Sequence, residues 1–155
     1  MKKQEKIDII EHFEKKIRKY LRIHRIFTKG DILKVDDKLC LEVVKSVIKD
    51  LPVTYTKNTQ KATKIVLPIT LDDENNQLLN SLFHNKSINN NKIIALFSPL
   101  SDKETSQLAN AYGLKFAPNA KDASIQNIIE TLYKDHPEIK NALRKTALEL
   151  RDFLK

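Results

Sequence analysis

Four short apolar runs, "ILKV" (32–35), "VTYT" (53–56), "KIVLPI" (64–69) and "KIIALF" (92–97), alternate along the chain with longer segments of helical period. Parallel strands cannot be joined by a tight turn and need a crossover of about a dozen residues or more, usually a helix. This spacing therefore predicts an α/β fold: a short parallel sheet of about four strands with helices on its faces. Within the third run, Pro68 lacks an amide hydrogen, which predicts a strand end or an edge position. With 155 residues, the chain is the size of one domain and can bury a substantial core.

The helical segments carry their own boundary signals. Residues 4–25 form an amphipathic pattern in which Ile10, Phe13, Ile17, Leu21 and His24 fall on one face, with Gly30 as the expected C-cap. "DDKLCLEVVKSVIKDL" follows the first strand; Asp36 or Asp37 is placed to cap it, and Leu39, Val43, Val47 and Leu51 supply its apolar face. In "TLDDENNQLLNSLF" (70–83), Thr70 and Asp73 have the spacing of a capping pair, and Leu71, Leu78, Leu79 and Leu82 form an apolar face. "HNKSINNNK" reads as a polar loop. "SDKE" at 101–104 is a capping box for a helix that runs through Tyr112 and closes at Gly113. Two further helices are expected at about 121–135 and 137–154, with Pro137 in a first turn. The whole chain, 1–155, reads as one domain with a basic N-terminal helix (1–30) and a C-terminal helical segment (114–155).

Charge is the strongest functional signal. Residues 1–30 hold ten Lys/Arg against four Asp/Glu, six of the eight net positive charges. Residues 15–29 contain seven Lys/Arg and no acid. Lys15, Arg18, Arg22, Arg25 and Lys29 form a stripe apart from the apolar face, suited to phosphates of a polyanion such as RNA or equally to a solvated surface. No apolar run is long enough to cross a membrane as a helix, and the N-terminus has no signal-peptide pattern, so a cytoplasmic location is expected. The single cysteine, Cys40, excludes an internal disulfide, a zinc ribbon or a cluster held by this chain's own thiolates, and its apolar neighbours favour burial. The four histidines lie far apart without metal-ligand spacing. Asp72, Asp73 and Glu74 stand where a strand enters a helix. There carboxylates can hold Mg²⁺ near a nucleotide, or complement the helix dipole without any ligand.

"KIVLPITLDDENNQLLNSLF", with Ala62, Thr63 and Lys64 ahead of Leu71, Asp72, Asp73 and Glu74, resembles the strand–helix block of PP-loop ATP pyrophosphatases that thiolate tRNA, the two-thiouridine and two-thiocytidine synthetase group. "FEKKIRKYLRIHRIFTKGDIL" resembles the basic helix leading to that family's first strand. "SPLSDKETSQLANAYGLKF" and "IIETLYKDHPEIKNALRK" resemble later segments, in the right order. The resemblance implies a Rossmann-like, PP-loop-like sheet and a link to tRNA modification. It also marks what is missing. The family's Ser-Gly-Gly-x-Asp-Ser phosphate loop is replaced by "KVDDKLCLEVV", in which only Asp37 matches; Gly-His-Asn before the acids has become Pro68, Ile69 and Thr70; and the family's cysteines are absent.

The expected protein is thus a shortened, degenerate relative without catalysis and without a bound cofactor, binding tRNA or another RNA, or pairing with an active PP-loop relative or a second copy of itself. RNA contacts are expected from Lys15, Arg18, Arg22, Arg25 and Lys29. The rival expectation is a residual ATP/Mg²⁺-binding thiolation enzyme using Asp37, Asp72 and Asp73; a further rival is a protein-interaction module.

Overall fold

The computed structural model describes residues 2–84 and 92–153. Element order is α1 (Lys3–Ile23), β1 (Ile32–Val35), α2 (Lys38–Val47), β2 (Thr54–Tyr55), β3 (Lys64–Thr70), α3 (Leu71–His84), β4 (Ile93–Phe97), α4 (Asp102–Tyr112), α5 (Ala123–Asp135) and α6 (Ile139–Phe153). The four strands form one sheet in the order β2-β1-β3-β4, all parallel, as the alternation predicted. The expected polar loop "HNKSINNNK" lies almost wholly outside the described residues.

The chain divides into two compact units. Residues 2–70 and 92–117 make the α/β unit, whose core gathers Phe13, Ile17, Leu33, Val43, Val66 and Leu96 from α1, the sheet and α2. Residues 71–84 and 118–153 make a helical unit in which α3 packs with both α5 and α6. Its buried apolar residues include Leu78, Ile125, Ile129 and Ala147.

Several local signals act as read. Asp37 is the N-cap of α2, accepting from the Cys40 amide at 2.8 Å. Ser101 and Glu104 close a full capping box on α4, and Gly113 ends it at φ +71°. Asp122 caps α5. Thr63 and Lys64 tie the start of β3 to β1: the Ile32 amide donates to Thr63 Oγ1 at 2.9 Å, and Lys64 Nζ pairs with Asp31 at 2.7 Å.

Four expectations are corrected. α1 ends at Ile23, with His24 as C-cap and Arg25 at a left-handed φ of +47°; Gly30, at φ +87°, belongs to a later turn. His24 consequently sits beyond the helix and is exposed. Pro68 lies in β3, a central strand between β1 and β4, where the register with β4 shifts between Leu67 and Thr70; a bulge tolerates the missing amide hydrogen. Leu82 is 55% exposed, while α3 instead buries Asp72, Glu74, Asn75, Asn76 and Ser81. Finally, α6 begins at Ile139, so Pro137 precedes the helix rather than opening it.

Candidate functional site

Two clusters correspond to the residues singled out in sequence. The first is a groove in the α/β unit, of about 650 Å³, between the exposed face of α1 and the end of α2. Lys15, Arg18, Lys19 and Arg22 line it from α1, where positions i, i+3, i+4 and i+7 share one face. Phe27, Val47, Ile48 and Leu51 supply half-buried apolar surface, and Asp50 adds one carboxylate. Among the described residues, no carboxylate lies within ion-pair distance of Lys15, Lys19 or Arg22.

Arg18 is different. Its Nη2 lies 2.6 Å from Oε2 of Glu14, one turn back, and Glu14 is only 3% exposed. Ser46 Oγ of α2 donates to the same carboxylate at 2.7 Å, and the Tyr112 hydroxyl of α4 donates to its other oxygen. Burial, reinforced by the Glu14 carboxylate, pushes the Tyr112 phenol well above its ordinary value, which keeps it a donor. Arg25 and Lys29 are exposed after α1 but do not line the groove. Lys19 was not among the expected contacts. Its signal was present in sequence: it stands four residues after Lys15 on the same helix.

The second cluster surrounds the acids of α3 in the helical unit. Lys140 Nζ of α6 lies 2.9 Å from Asp72 and 2.9 Å from Glu130 of α5, and 4.7 Å from the Tyr133 ring centre. Lys121 Nζ lies 2.9 Å from Asp73, which also accepts from Asn119 Nδ2 at 2.8 Å. Burial alone would depress Lys140, but the hydrogen bonds it donates to Asp72 and Glu130 outweigh it and hold the ammonium above its ordinary value. Asn75 Nδ2 donates to the Lys140 carbonyl at 2.9 Å, and Asn76 exchanges two hydrogen bonds with the Asp122 backbone, each 3.1 Å. Lys121, Lys140, Asn75 and Asn76 went unnoticed as site residues. Lys140 had a signal in the "HPEIK" string, whereas the others had none short of the tertiary fold.

Asp37 belongs to the α/β unit, and Asp72 and Asp73 belong to the helical unit. Asp37 follows β1 at the carboxyl edge of the sheet, beside β3, where the strand order reverses and α/β folds bind ligands. Its carboxylate covers the α2 amide end as a cap, the place where a phosphate-binding loop presents free N–H groups. Neighbouring acids are engaged as well, Asp36 with Lys34 and Asp102 with Thr70 Oγ1 at 2.6 Å.

Together these features define a parallel α/β protein with a cationic, apolar-lined groove and an acid cluster faced by its own lysines. No protein-family model matches the chain, and no curated protein matches it in sequence. Among solved structures it is similar to the U34-tRNA thiolase NcsA from Methanococcus maripaludis with its [4Fe-4S] cluster, at a TM-score of 0.66 and 12% identity. The match covers 94% of this chain and 79% of that one. At this identity the shared property is the fold, the PP-loop-like architecture that the sequence resemblance implied.

A four-iron cluster requires several thiolates. This chain has one cysteine, Cys40, fully buried in α2, and its thiol is pushed up by burial and then by Asp37. The residues present do not fit such a cluster.

Proposed function

We propose that this chain is a non-catalytic, PP-loop-like protein connected with tRNA modification, which binds RNA through the cationic face of α1. The observation that carries this reading is the set Lys15, Lys19 and Arg22: three cations on one helix face, beside the groove, with Arg18 held at the same rim by Glu14. Arg25 and Lys29 extend the basic surface toward β1 and add longer-range attraction. The similarity in fold to a tRNA thiolase supports the choice of RNA as the polyanion.

The non-catalytic part is supported by the chemistry of the candidate nucleotide-binding residues, taken unit by unit. Lys140 and Lys121 supply positive charge directly to Asp72 and Asp73, where a nucleotide enzyme would place Mg²⁺. Asp37 offers a carboxylate, not amide donors, to an incoming phosphate.

RNA binding is tested by titrating labelled tRNA over a range of salt. Neutralising Lys15, Lys19 and Arg22 together with glutamine is expected to weaken binding at least about tenfold and to reduce the salt slope by about two to three. Arg18 is left intact in this variant because it neutralises buried Glu14. Affinity within about twofold of wild type would remove this face as the RNA surface.

Nucleotide binding is tested separately by thermal shift. With about 1 mM Mg-ATP, no rise in Tm is expected, because a ligand stabilises only in proportion to its occupancy. A rise that disappears in Asp72→Ala, each variant compared with its own ligand-free Tm, would restore the enzyme reading.

A further inference from the structure

We propose that the groove between α1 and α2 seats one unpaired nucleotide of the bound RNA: its phosphates on Lys15, Lys19 and Arg22, its base against Phe27, Ile48 and Leu51, and its donor edge on Asp50. This rests on the RNA-binding reading above and goes further, because it states what part of the RNA is held and how it is read.

A surface that gripped only duplex phosphates would need cations and nothing more, since backbone contacts position without reading sequence. Here the cations border a concave apolar surface. Its volume of about 650 Å³ falls within the range of about 300–1,000 Å³ typical of small-molecule sites, room that a phosphate alone does not require. RNA sequence is read chiefly on unpaired bases, splayed out and packed against aromatic or apolar side chains and guanidinium planes. Phe27 provides an aromatic ring, itself steadied by Lys64 Nζ at 5.7 Å from its centre. Arg22 provides an exposed guanidinium at the same rim.

Asp50 decides between candidate occupants. Charge complementarity makes the occupant anionic, and an acidic amphipathic helix would satisfy the cations and the apolar wall. A carboxylate in the lining would repel that helix, whereas it accepts hydrogen bonds from a base edge. Guanine presents two adjacent donors, its N1–H and its 2-amino group, to a single carboxylate. Cytosine and adenine offer one amino group, and uracil one imide N–H between two carbonyl oxygens. The groove should therefore favour guanine and discriminate most strongly against uracil.

The experiment compares a short fluorescent oligouridylate with the same strand carrying one central guanine, and with a blunt RNA duplex of equal phosphate count. Wild-type protein is expected to bind the guanine strand about tenfold more tightly than oligouridylate, as a bidentate base contact discriminates. Asp50→Asn, an exposed substitution that keeps every cation, is expected to erase that preference, while oligouridylate affinity in low salt rises by about two- to fivefold because one negative charge leaves the groove. Phe27→Leu is expected to weaken both single strands and spare the duplex.

Equal binding of all three RNAs, unaffected by Asp50→Asn, would overturn the nucleotide seat and leave the basic surface standing. No binding to any RNA would overturn both readings. Displacement of bound guanine strand by an amphipathic Glu/Leu peptide, with the peptide outbinding every RNA, would assign the groove to an acidic helix and also defeat the proposal.

Discussion

Lys140→Met is expected to destabilise the helical unit by about 3 kcal/mol, because a buried carboxylate would lose its ammonium. Lys140 is 14% exposed and Asp72 9% exposed, so water cannot replace the lost charge freely. Methionine keeps most of the unbranched stem, so the loss is that of the ammonium, with its ion pairs and its cation–π contact with Tyr133. Asp72→Asn should cost less, since Lys140 keeps Glu130, which is 46% exposed and readily solvated. The double variant should recover part of the loss, because removing both charges of a buried pair is far gentler than removing one. Urea unfolding followed by helical circular dichroism measures all three. A Lys140→Met loss below about 0.5 kcal/mol would mean that the pair is a surface contact in effect.

The sign of the pH dependence adds a check. Lys140 has its folded pKa raised above the ordinary 10.5. Its contribution is therefore complete below that value and is lost as pH climbs through the raised one. Wild type and Lys140→Met should thus keep their full difference at neutral pH and converge only in strong alkali. Lys16–Glu104 behaves oppositely. Burial would raise Glu104, but the Lys16 hydrogen bond at 2.6 Å overcomes it and holds the carboxyl below 4.5. That contribution is present above 4.5 and is lost as pH falls through the lowered value.

What the sequence made legible were features whose physics is local. β1 occupies 32–35 as read, and α4 begins and ends as its capping box and Gly113 dictate, since each depends on residues a few positions apart. The buried face of α3 was misread for the opposite reason. Asn75, Asn76, Asp72 and Asp73 look like solvated residues until their partners arrive from α5, α6 and the segment before them, 46 to 65 residues later for the asparagines. Pro68 was misplaced because strand order is a non-local property. In the groove, periodicity exposed the cations of α1. It could not show that Val47, Ile48 and Leu51, some 25 to 36 residues further on, would meet them.

Glu14→Ala is expected to cost the α/β unit about 3 kcal/mol, since hydrogen bonds to a charged group are worth about 1.5–3 kcal/mol and the half-buried hydroxyls of Ser46 and Tyr112 would lose their acceptor. The carboxylate joins three helices: Arg18 on its own α1, Ser46 on α2 and Tyr112 on α4. Tyr112→Phe removes one donor and should cost about 1 kcal/mol, because the carboxylate keeps Arg18 and Ser46. In a double-mutant cycle the two losses should add to more than the double variant shows, as expected for one shared network. Glu14→Gln separates stability from binding. The amide still accepts from one neighbour, so the unit should remain folded, though less stable than wild type. At the same time the rim loses the negative charge that holds Arg18, and the net charge beside the groove rises by one. Stability should therefore fall while RNA affinity in low salt rises by about two- to fivefold, two opposite movements from one atom exchange. If RNA affinity instead fell in a variant shown to be folded, Arg18 would be contacting RNA only in the position that Glu14 imposes, and the carboxylate would be a positioning residue for the rim.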